Sequence, residues 1–247
     1  EVARHQIKAI AERKIEKLAY EIEMPLAAIL ADMEKTGFAV DFDKLSELGV
    51  VMDRRLDELR SIIYEMAGHE FNINSPKQLS EVLFGELGLK TGKKRSGGTF
   101  STDSNELERL MNDHPIIERI IEHRQTAKLR STYVEGLMKV ISPDDKRVHT
   151  TFNQMLTTTG RLSSSEPNLQ NIPIRTAEGR RIRQAFIARP GYQLLAADYS
   201  QIELRIMAHL SEDPGLVQAF AEGKDIHQAT AAEIFDMPLD EVTNEQR

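Results

Sequence analysis

Two carboxylates stand close together in the last quarter of the 247-residue chain, directly after a short apolar run. The run Gln193-Leu194-Leu195-Ala196-Ala197 has the pattern of a buried strand, and Asp198 follows it at once. Glu203 lies five residues further on, in the first turns of a predicted, mostly buried helix. Oxygen ligands placed in this way suit a hard cation such as Mg²⁺. Spacing alone slightly favours the simpler interpretation, in which Asp198 caps the helix.

A long polar segment without periodicity, residues 157–175, precedes this strand–helix unit. Loops of this length inside a compact domain are often functional, and strong apolar elements flank this one. Six arginines and two acids lie from Arg161 to Arg189, whereas residues 198–247 hold eleven acids and three bases. Arginine favours forked contacts with phosphate, and amide side chains can bond to base edges. The pattern fits a polyanion held beside a metal site, although arginines that only pair with the acidic part would give the same pattern.

The composition limits the class of protein. The chain has 40% hydrophobic and 29% charged residues, which is ordinary for a globular protein. It has no cysteine, which excludes disulfides, zinc–thiolate sites and a thiol nucleophile. No apolar stretch approaches the length of a membrane span, and the first residues lack the apolar centre of a signal peptide. A net charge of −7 taken alone argues against nucleic acid as a partner, but it averages a basic region and an acidic one.

Helical periodicity dominates the elements that must position these residues. Residues 1–35 predict helix, interrupted near Pro25 and ended by Gly37. Further helices are predicted over 42–67, 75–88, 103–111 and 115–141, and strands over 38–40 and 148–156. At the start of the third helical segment, Ser75 is the expected N-cap and Gln78 can complete a capping box.

The segment 90–102 is predicted to be flexible, with three glycines and a group of four basic residues. It does not fit a P-loop, because Gly88 to Gly92 is one residue too short and Lys93 is followed by lysine. A solvated loop and a mobile clamp on a phosphate backbone are equally favoured by the composition.

Four segments carry a family resemblance, and they follow one another in the order that the family has. The octapeptide Asp198-Tyr199-Ser200-Gln201-Ile202-Glu203-Leu204-Arg205 is similar to motif A of the family A DNA polymerases, of the bacterial DNA polymerase I type. Residues 159–164 with 167–173, TGRLSS and PNLQNIP, resemble the primer–template loop of that family. Residues 178–186 and 222–227 also match it, and the resemblance covers about Tyr20 to Arg247.

The resemblance implies an α+β fold that is mostly helical. Thumb helices are expected beside an incomplete antiparallel palm sheet and the first fingers helices. The implied divisions are the tail of a preceding exonuclease-like domain at 1–19, palm base at 20–41, thumb at 42–147, partial palm with the primer–template loop and motif A at 148–210, and the start of the fingers at 211–247.

The activity implied by the resemblance is DNA-templated DNA synthesis, in which a dNTP is joined to a primer 3′-OH with two Mg²⁺ ions. Asp198 would be a catalytic metal ligand, with the Tyr199 carbonyl as a further ligand. Glu203 would exclude a ribose 2′-hydroxyl and so favour DNA over RNA. The remaining nucleotide-binding residues would be Ser200, Gln201, Ile202 and His227.

The resemblance also implies contacts with primer–template DNA. Arg161 would reach the minor groove at the primer terminus, where the acceptors are similar for all base pairs. The template and primer near the junction would be held by Asn168, Gln170, Asn171 and Arg175. The thumb would grip the duplex through Arg124, Lys128, Arg130, Ser131 and Thr132. The basic segment 90–102 would be the thumb tip, although Phe100 stands where relatives commonly have a basic residue.

Two family features are not found in the 247 residues, namely the fingers helix that binds the triphosphate and the second catalytic aspartate. We therefore expect that this chain alone does not polymerise and needs the remainder of a polymerase chain. The alternative is a non-catalytic primer–template DNA-binding module. A single-subunit RNA polymerase relative is disfavoured by Glu203. The resemblance further implies a monomer in the bacterial cytoplasm, associated with the nucleoid and serving DNA replication and repair.

Overall fold

The computed structural model describes residues 1–89, 100–174, 176–243 and 246. The predictions for Arg175, and those for the thumb tip apart from residues 100–102, therefore lie outside the described residues. The described chain is a mostly helical α+β protein with two small antiparallel sheets, as predicted. It divides into two compact units, Glu1–Gln193 and Leu194–Arg247. The predicted domain boundaries stay predictions.

The first unit contains eight α-helices and four short strands in its described part. The helices are α1 Val2–Glu12, α2 Met24–Thr36, α3 Phe42–Ala67, α4 Pro76–Ser80, α5 Ser104–Arg109, α6 Pro115–Leu129, α7 Gly136–Val140 and α8 Ala177–Gln184. The strands are β1 Phe38–Ala39, β2 Arg147–Val148, β3 Thr151–Asn153 and β4 Ser163–Ser165. Three π-helical segments occupy Leu18–Glu23, Glu81–Glu86 and Arg130–Glu135.

The long helix α3 has the predicted bounds because local signals mark both of its ends. The Asp41 carboxylate accepts a hydrogen bond from the Lys44 N–H at 3.0 Å, which satisfies a free donor of the first turn. Gly68 ends the helix with φ 83°, a left-handed conformation that glycine adopts without a steric penalty. The apolar stripe between these ends is buried and packs along α6.

Two apolar clusters hold the first unit together. One joins α3 and the α6–α7 helix to the β1–β2 pair and α8; its buried members include Leu45, Met52, Leu137, Val148 and Ile182. The other lies between the far end of α3, α4, α5 and the first half of α6; its members include Ile63, Leu79, Leu107, Ile116 and Ile120. At both clusters the main gain in stability is the removal of apolar surface from water, which contributes about 25 cal/mol for each Å² buried. The predicted helix 115–141 runs through both clusters, with a π-helical segment between α6 and α7.

Local predictions near the chain start and at α4 need correction. The helix predicted over 1–35 is interrupted at Lys14, which has φ 54°, before the π-helical segment leads into α2. Ser75 is the N-cap of α4, as predicted, but the capping box does not form. The Gln78 side chain instead accepts the Asn72 N–H at 2.6 Å, while the Ser75 N–H is satisfied by the Asn72 carbonyl at 2.9 Å. The turn before the helix thus supplies the partner that Gln78 would have provided.

The strand predictions are partly confirmed. β1 pairs with β2, with Phe38 opposite Val148. The predicted strand 148–156 is divided into the end of β2 and β3, because the chain turns from one sheet into the other between them. The segment 157–175 is not entirely loop, since β4 lies in it and pairs with β3. Strand pairing uses backbone groups, so a run of three serines can pair without an apolar pattern.

The second unit consists of the short helices α9 Ile202–Ser211, α10 Pro214–Ala221 and α11 Ile226–Ile234, with a 3₁₀ turn at Leu239–Glu241. The predicted buried strand 193–197 is wrong: these residues form no strand and are exposed. The predicted mostly buried helix is also wrong in its burial, since Ala208 is the only buried residue of α9. A strand needs a hydrogen-bonded neighbour, and the described part of this unit provides none.

Helices of the described chain are all too short or too polar to cross a membrane.

Candidate functional site

The described residues 157–174 form the polar loop of the first unit, and a buried threonine fixes its base. Thr150 is 7% exposed, and its hydroxyl lies 2.7 Å from the Pro167 carbonyl oxygen and 3.1 Å from that of Ser165. The buried Ser164 hydroxyl accepts the Leu169 N–H at 3.0 Å. Without these two hydroxyl groups, the backbone groups that they bond would lose a hydrogen-bond partner. Each buried group left unsatisfied costs about 1–3 kcal/mol of stability. The loop therefore has a defined shape.

This shape presents three of the predicted DNA-binding amides on one exposed stretch. Asn168, Gln170 and Asn171 are all exposed. The Asn168 side-chain oxygen accepts the Gln170 N–H at 3.0 Å, and the Gln170 amide donates to the Leu162 carbonyl at 3.3 Å. Local hydrogen bonds thus hold Asn168 and Gln170 beside the chain that leaves Arg161. The structure brings these predicted residues together.

Arg161 lies at the exposed tip between β3 and β4. The Thr157 hydroxyl donates to its carbonyl oxygen at 2.6 Å, and Gly160 before it has φ 74°. These two features make a tight turn, which directs the chain back into β4. The position of Arg161 therefore depends on how the β3–β4 pair is held.

Tyr133 connects the helical part of the first unit to the polar loop. Its hydroxyl, on the π-helical segment Arg130–Glu135, donates a hydrogen bond to the Asn171 carbonyl. A cavity of about 960 Å³ opens beside this contact, and its lining includes Lys128 and Arg181. Of the predicted DNA-binding residues, Lys128 and Asn171 thus border one concave surface of the first unit.

Two of the predicted thumb cations are already engaged. The Arg124 guanidinium donates to the Thr102 carbonyl, and burial holds its pKa below the ordinary value. Arg130 makes a forked contact with Asp53, and it also contacts the Glu135 carboxylate. The hydrogen bond with Asp53 is the main cause that raises the pKa of Arg130. Both guanidinium groups therefore hold segments of the first unit to each other.

The other three predicted thumb residues, Lys128, Ser131 and Thr132, are exposed. The Ser131 hydroxyl lies 3.3 Å from the Lys128 carbonyl oxygen, so these two residues share one turn of helix. Within the described ranges Lys128 makes no ion pair. Its ammonium group can therefore reach a phosphate without breaking a contact of the fold.

The motif A residues of the second unit lie on an exposed segment that leads into α9. Residues 198–200 are exposed, and Tyr199 has 79% of its surface accessible. The hypothesis that Asp198 caps the helix is wrong, because the N-cap position is Gln201 and no side chain caps the helix. Gln201 has φ 54°, a left-handed conformation that a residue other than glycine adopts at a cost of about 1–2 kcal/mol.

Two contacts of the Arg205 side chain fix the start of α9. The Arg205 Nε donates to the Ser200 carbonyl at 3.0 Å, and its guanidinium lies 4.5 Å from the centre of the Phe220 ring. These contacts join the motif A segment to α10. Glu203 and Ile202 occupy the first turn of α9, and His227 is an exposed residue at the beginning of α11. All the predicted nucleotide-binding residues belong to this one unit.

The described residues hold no group of three His, Cys, Asp or Glu side chains suited to a metal ion. The Asp198 carboxylate and the Tyr199 carbonyl are hard oxygen donors. Such donors fit Mg²⁺, which usually keeps several waters and takes only one or two carboxylates from a protein. The donor chemistry therefore fits magnesium.

Several residues that shape the site have no signal in the sequence. Tyr133 acts through the carbonyl of Asn171, 38 positions away, and Glu34 accepts the N–H of Phe152, 118 positions away. Neither contact has a local spacing that could reveal it. Tertiary packing alone places these side chains.

Residues 42–247 match the sequence profile of DNA polymerase family A. The chain is 52% identical over 232 residues to DNA polymerase I of Bacillus subtilis, a match that covers 94% of this chain and 26% of that protein. It is 49% identical over 232 residues to the thermostable DNA polymerase I of Thermus aquaticus, covering 94% of this chain and 28% of that protein. The chain thus spans about a quarter of the length of these relatives.

A solved structure has the same fold as this chain. It is the POL domain of Pol1 from M. smegmatis in complex with DNA primer–template and dNTP. The two are 44% identical with a TM-score of 0.88, and the match covers 97% of this chain and 42% of the other.

Proposed function

Because the chain belongs to DNA polymerase family A, we propose that its residues serve the template-directed transfer of a nucleotide from a dNTP to a primer 3′-OH. The observation that carries this proposal is the exposed motif A segment, where Asp198 precedes α9 and Glu203 lies in its first turn. The M. smegmatis relative, solved with primer–template and dNTP, supports the same partners for this chain.

Asp198 and the Tyr199 carbonyl would hold part of a magnesium site, whose chemistry is to polarise the attacking and leaving oxygens. Both donors lie on the exposed segment before α9, so solvent and substrate can reach them. A two-ion centre needs further carboxylates beyond those that the described residues bring together. We accordingly propose that the 247 residues alone do not polymerise, and that the remainder of a polymerase chain completes the site.

The residues around α9 would select and orient the nucleotide. Glu203 would stand against the sugar 2′ position, where a carboxylate leaves no room for a hydroxyl. The pocket would be lined by Ser200, Gln201 and Ile202, while His227 at the beginning of α11 would contact the phosphates. The contacts of Arg205 with Ser200 and Phe220 support this role, since they hold the segment in one conformation.

The first unit would bind the primer–template duplex. Arg161 would contact the minor groove at the primer terminus, where an arginine can test pair shape without reading sequence. The hydrogen-bonded amides Asn168, Gln170 and Asn171 would hold the junction, together with Arg175. Lys128, Ser131 and Thr132 would contact phosphates, while Arg124 and Arg130 keep the thumb surface in shape through their own contacts.

A second candidate function, primer–template binding without catalysis, is favoured by one specific observation. The first unit contains the polar loop with Arg161 and the exposed residues Lys128, Ser131 and Thr132. Asp198 belongs to the second unit. DNA binding by the first unit would therefore not need the carboxylate site. Either function places the protein on DNA in the bacterial cytoplasm, where we propose that it acts as a monomer.

The test uses a chimeric full-length enzyme, in which these 247 residues replace the matching segment of the Bacillus subtilis DNA polymerase I. We expect Asp198→Asn to abolish primer extension and to leave primer–template affinity unchanged. Asp240→Asn, an exposed acid of the same unit, is the matched control and should extend normally. Extension by Asp198→Asn near the parental rate would contradict the metal assignment. Normal binding by the isolated chain with no extension would agree with its proposed inactivity.

A further inference from the structure

The outer edge of β3 is covered by a carboxylate of α2. Asn153 and Thr151 face their partners in β4, and the Phe152 N–H between them donates to Glu34 Oε1 at 2.6 Å. Backbone donors at the edge of a two-stranded pair normally face water. Here Glu34 satisfies one of them and ties the strand to the helix. A hydrogen bond to an ionised carboxylate is stronger than one between neutral groups.

A second tie lies immediately after the strand. The Gln154 side-chain amide donates to the Glu23 carbonyl oxygen at 2.8 Å, and it also contacts the Glu23 carboxylate. Glu23 is the last residue of the π-helical segment that leads into α2. Both ends of α2 therefore hold the β3 chain, one through Glu34 and the other through Glu23.

These ties lie directly upstream of Arg161. The chain leaves Gln154, turns through residues 155–162 and returns as β4, which pairs with β3 along three residues. The Thr157 hydroxyl closes the turn on the Arg161 carbonyl. A displacement of β3 would therefore move the turn that carries Arg161. Met155 and Leu156 within the turn are 92% and 71% exposed, so burial of their side chains does not anchor it.

We propose that Glu34 and Gln154 are positioning residues, which fix the β3–β4 turn on α2 and so set the place of Arg161 against the primer-terminal base pair. The proposal rests on the function proposed above for Arg161. In this role neither residue needs to contact substrate. Both act through the backbone of β3 and the turn that follows it.

The first test exchanges the partners at the Gln154 contact, in the chimeric full-length enzyme. Gln154→Glu places two carboxylates against each other, and we expect it to lower kcat/KM for extension of a matched primer about tenfold or more, since small misplacements near a reacting centre have such effects. The double variant Glu23→Gln with Gln154→Glu restores an amide–carboxylate pair with the roles reversed. It should recover part of the lost activity, because the side-chain pair is restored while the Glu23 carbonyl oxygen stays without its donor. Failure of the exchange to recover any activity would contradict the proposal.

The Glu34 contact has a conservative control. Glu34→Gln keeps an oxygen acceptor for the Phe152 N–H, so it should extend primers nearly as well as the parent. Glu34→Ala removes the acceptor and should resemble Gln154→Glu. Equal loss in Glu34→Gln and Glu34→Ala would overturn the assignment of Glu34, and near-parental rates in both would do the same.

The second test asks whether the effect passes through Arg161, by a double-mutant cycle. If Gln154 acts by placing Arg161, then Gln154→Glu should lower kcat/KM and mismatch discrimination strongly in the parent, but less than about twofold in an Arg161→Ala background. The same fold loss in both backgrounds would show a general structural role and overturn the inference. If the chimeric enzyme itself does not extend primers, or if Arg161→Ala alone does not change extension, the proposed function is overturned and this inference with it.

Discussion

The guanidinium of Arg130 meets the carboxylate of Asp53 through two parallel hydrogen bonds, with Nε–Oδ1 at 2.7 Å and Nη2–Oδ2 at 2.9 Å. The remaining terminal nitrogen contacts Glu135. A phosphate that approached Arg130 would therefore compete with two carboxylates. Lys128, two positions earlier and exposed, meets no such competition within the described residues.

Lys128 and Arg130 should consequently differ in their effect on DNA binding. We expect Lys128→Gln to weaken primer–template binding at all sequences and to reduce the slope of log K against log[salt] by about one, because one phosphate contact is lost. Arg130→Gln should change that slope by much less. It should instead lower the free energy of unfolding by about 1 kcal/mol, the upper range for a partly exposed ion pair. Fluorescence anisotropy over a KCl series and urea titration provide the two measurements.

The opposite pattern would reassign these residues. A full unit of salt slope lost in Arg130→Gln, with stability unchanged, would show that the fork with Asp53 opens on DNA. Asp53→Asn is the matched control, since it weakens the fork and leaves Arg130 in place. It should lower stability without lowering DNA affinity.

His149 should make the stability of the first unit depend on pH. Its Nδ1 lies 2.8 Å from the Glu34 carbonyl oxygen and its Nε2 lies 3.0 Å from Asp145 Oδ2, so both ring nitrogens face acceptors. The hydrogen bond to the Glu34 carbonyl is the main cause that raises the pKa of His149 above its ordinary value, and Asp145 adds to the rise. The folded protein therefore binds this proton more tightly than the unfolded chain.

The sign of the effect follows from that difference. Stabilisation by the charged ring is fully present below the unfolded pKa of about 6.5 and is lost as pH rises through the folded pKa. The difference in unfolding free energy between the parent and His149→Gln should thus be larger at pH 5.5 than at pH 9. Urea titrations followed by circular dichroism at both pH values measure it. An equal difference at both pH values would show that only the packing of the ring matters.

Local signals explain which elements could be predicted from the sequence. The helix α3 can be predicted because its apolar stripe and the terminal Gly68 are local signals, and the Asp41 cap of the structure lies beside them. The strand predicted at 193–197 was wrong because an apolar run specifies a strand only where a neighbour can pair with it. β4 was missed for the converse reason, since its serines show no alternation while β3 supplies the pairing.

The candidate site divides in the same way. Asp198 and Glu203 could be singled out because their residue types and spacing are local, and because the surrounding octapeptide resembles motif A. The supports of the loop could not, because Tyr133 and Glu34 act on backbone groups that lie far away in the sequence. Contacts of this kind depend on the packing of whole helices and leave no spacing to recognise.

Gly179 should be required for the packing of the polar loop against α8. A Cβ at this position would lie 2.6 Å from the Pro173 carbonyl oxygen, and backbone atoms cannot move aside cheaply. We expect Gly179→Ala to lower the free energy of unfolding by about 1–3 kcal/mol, the usual range for overpacking, and to weaken primer–template binding. Gly85→Ala is the control, since its Cβ would meet only Glu81 Cγ at 3.9 Å. It should be neutral or stabilise by up to about 1 kcal/mol. Equal effects of the two substitutions would argue against close packing at Pro173.

Glu203 should decide between deoxyribose and ribose. It lies in the first turn of α9, next to the segment that Arg205 fixes through the Ser200 carbonyl. If Glu203 stands against the sugar 2′ position as proposed, Glu203→Ala in the chimeric enzyme should lower the ratio of kcat/KM for dNTP over rNTP about tenfold or more. The reason is that the clash between the carboxylate and a 2′-hydroxyl, which disfavours the rNTP, is removed. Glu233→Ala, an exposed acid of α11, should leave the ratio unchanged. Single-nucleotide incorporation with matched dNTP and rNTP measures both variants, and an unchanged ratio in Glu203→Ala would exclude this role.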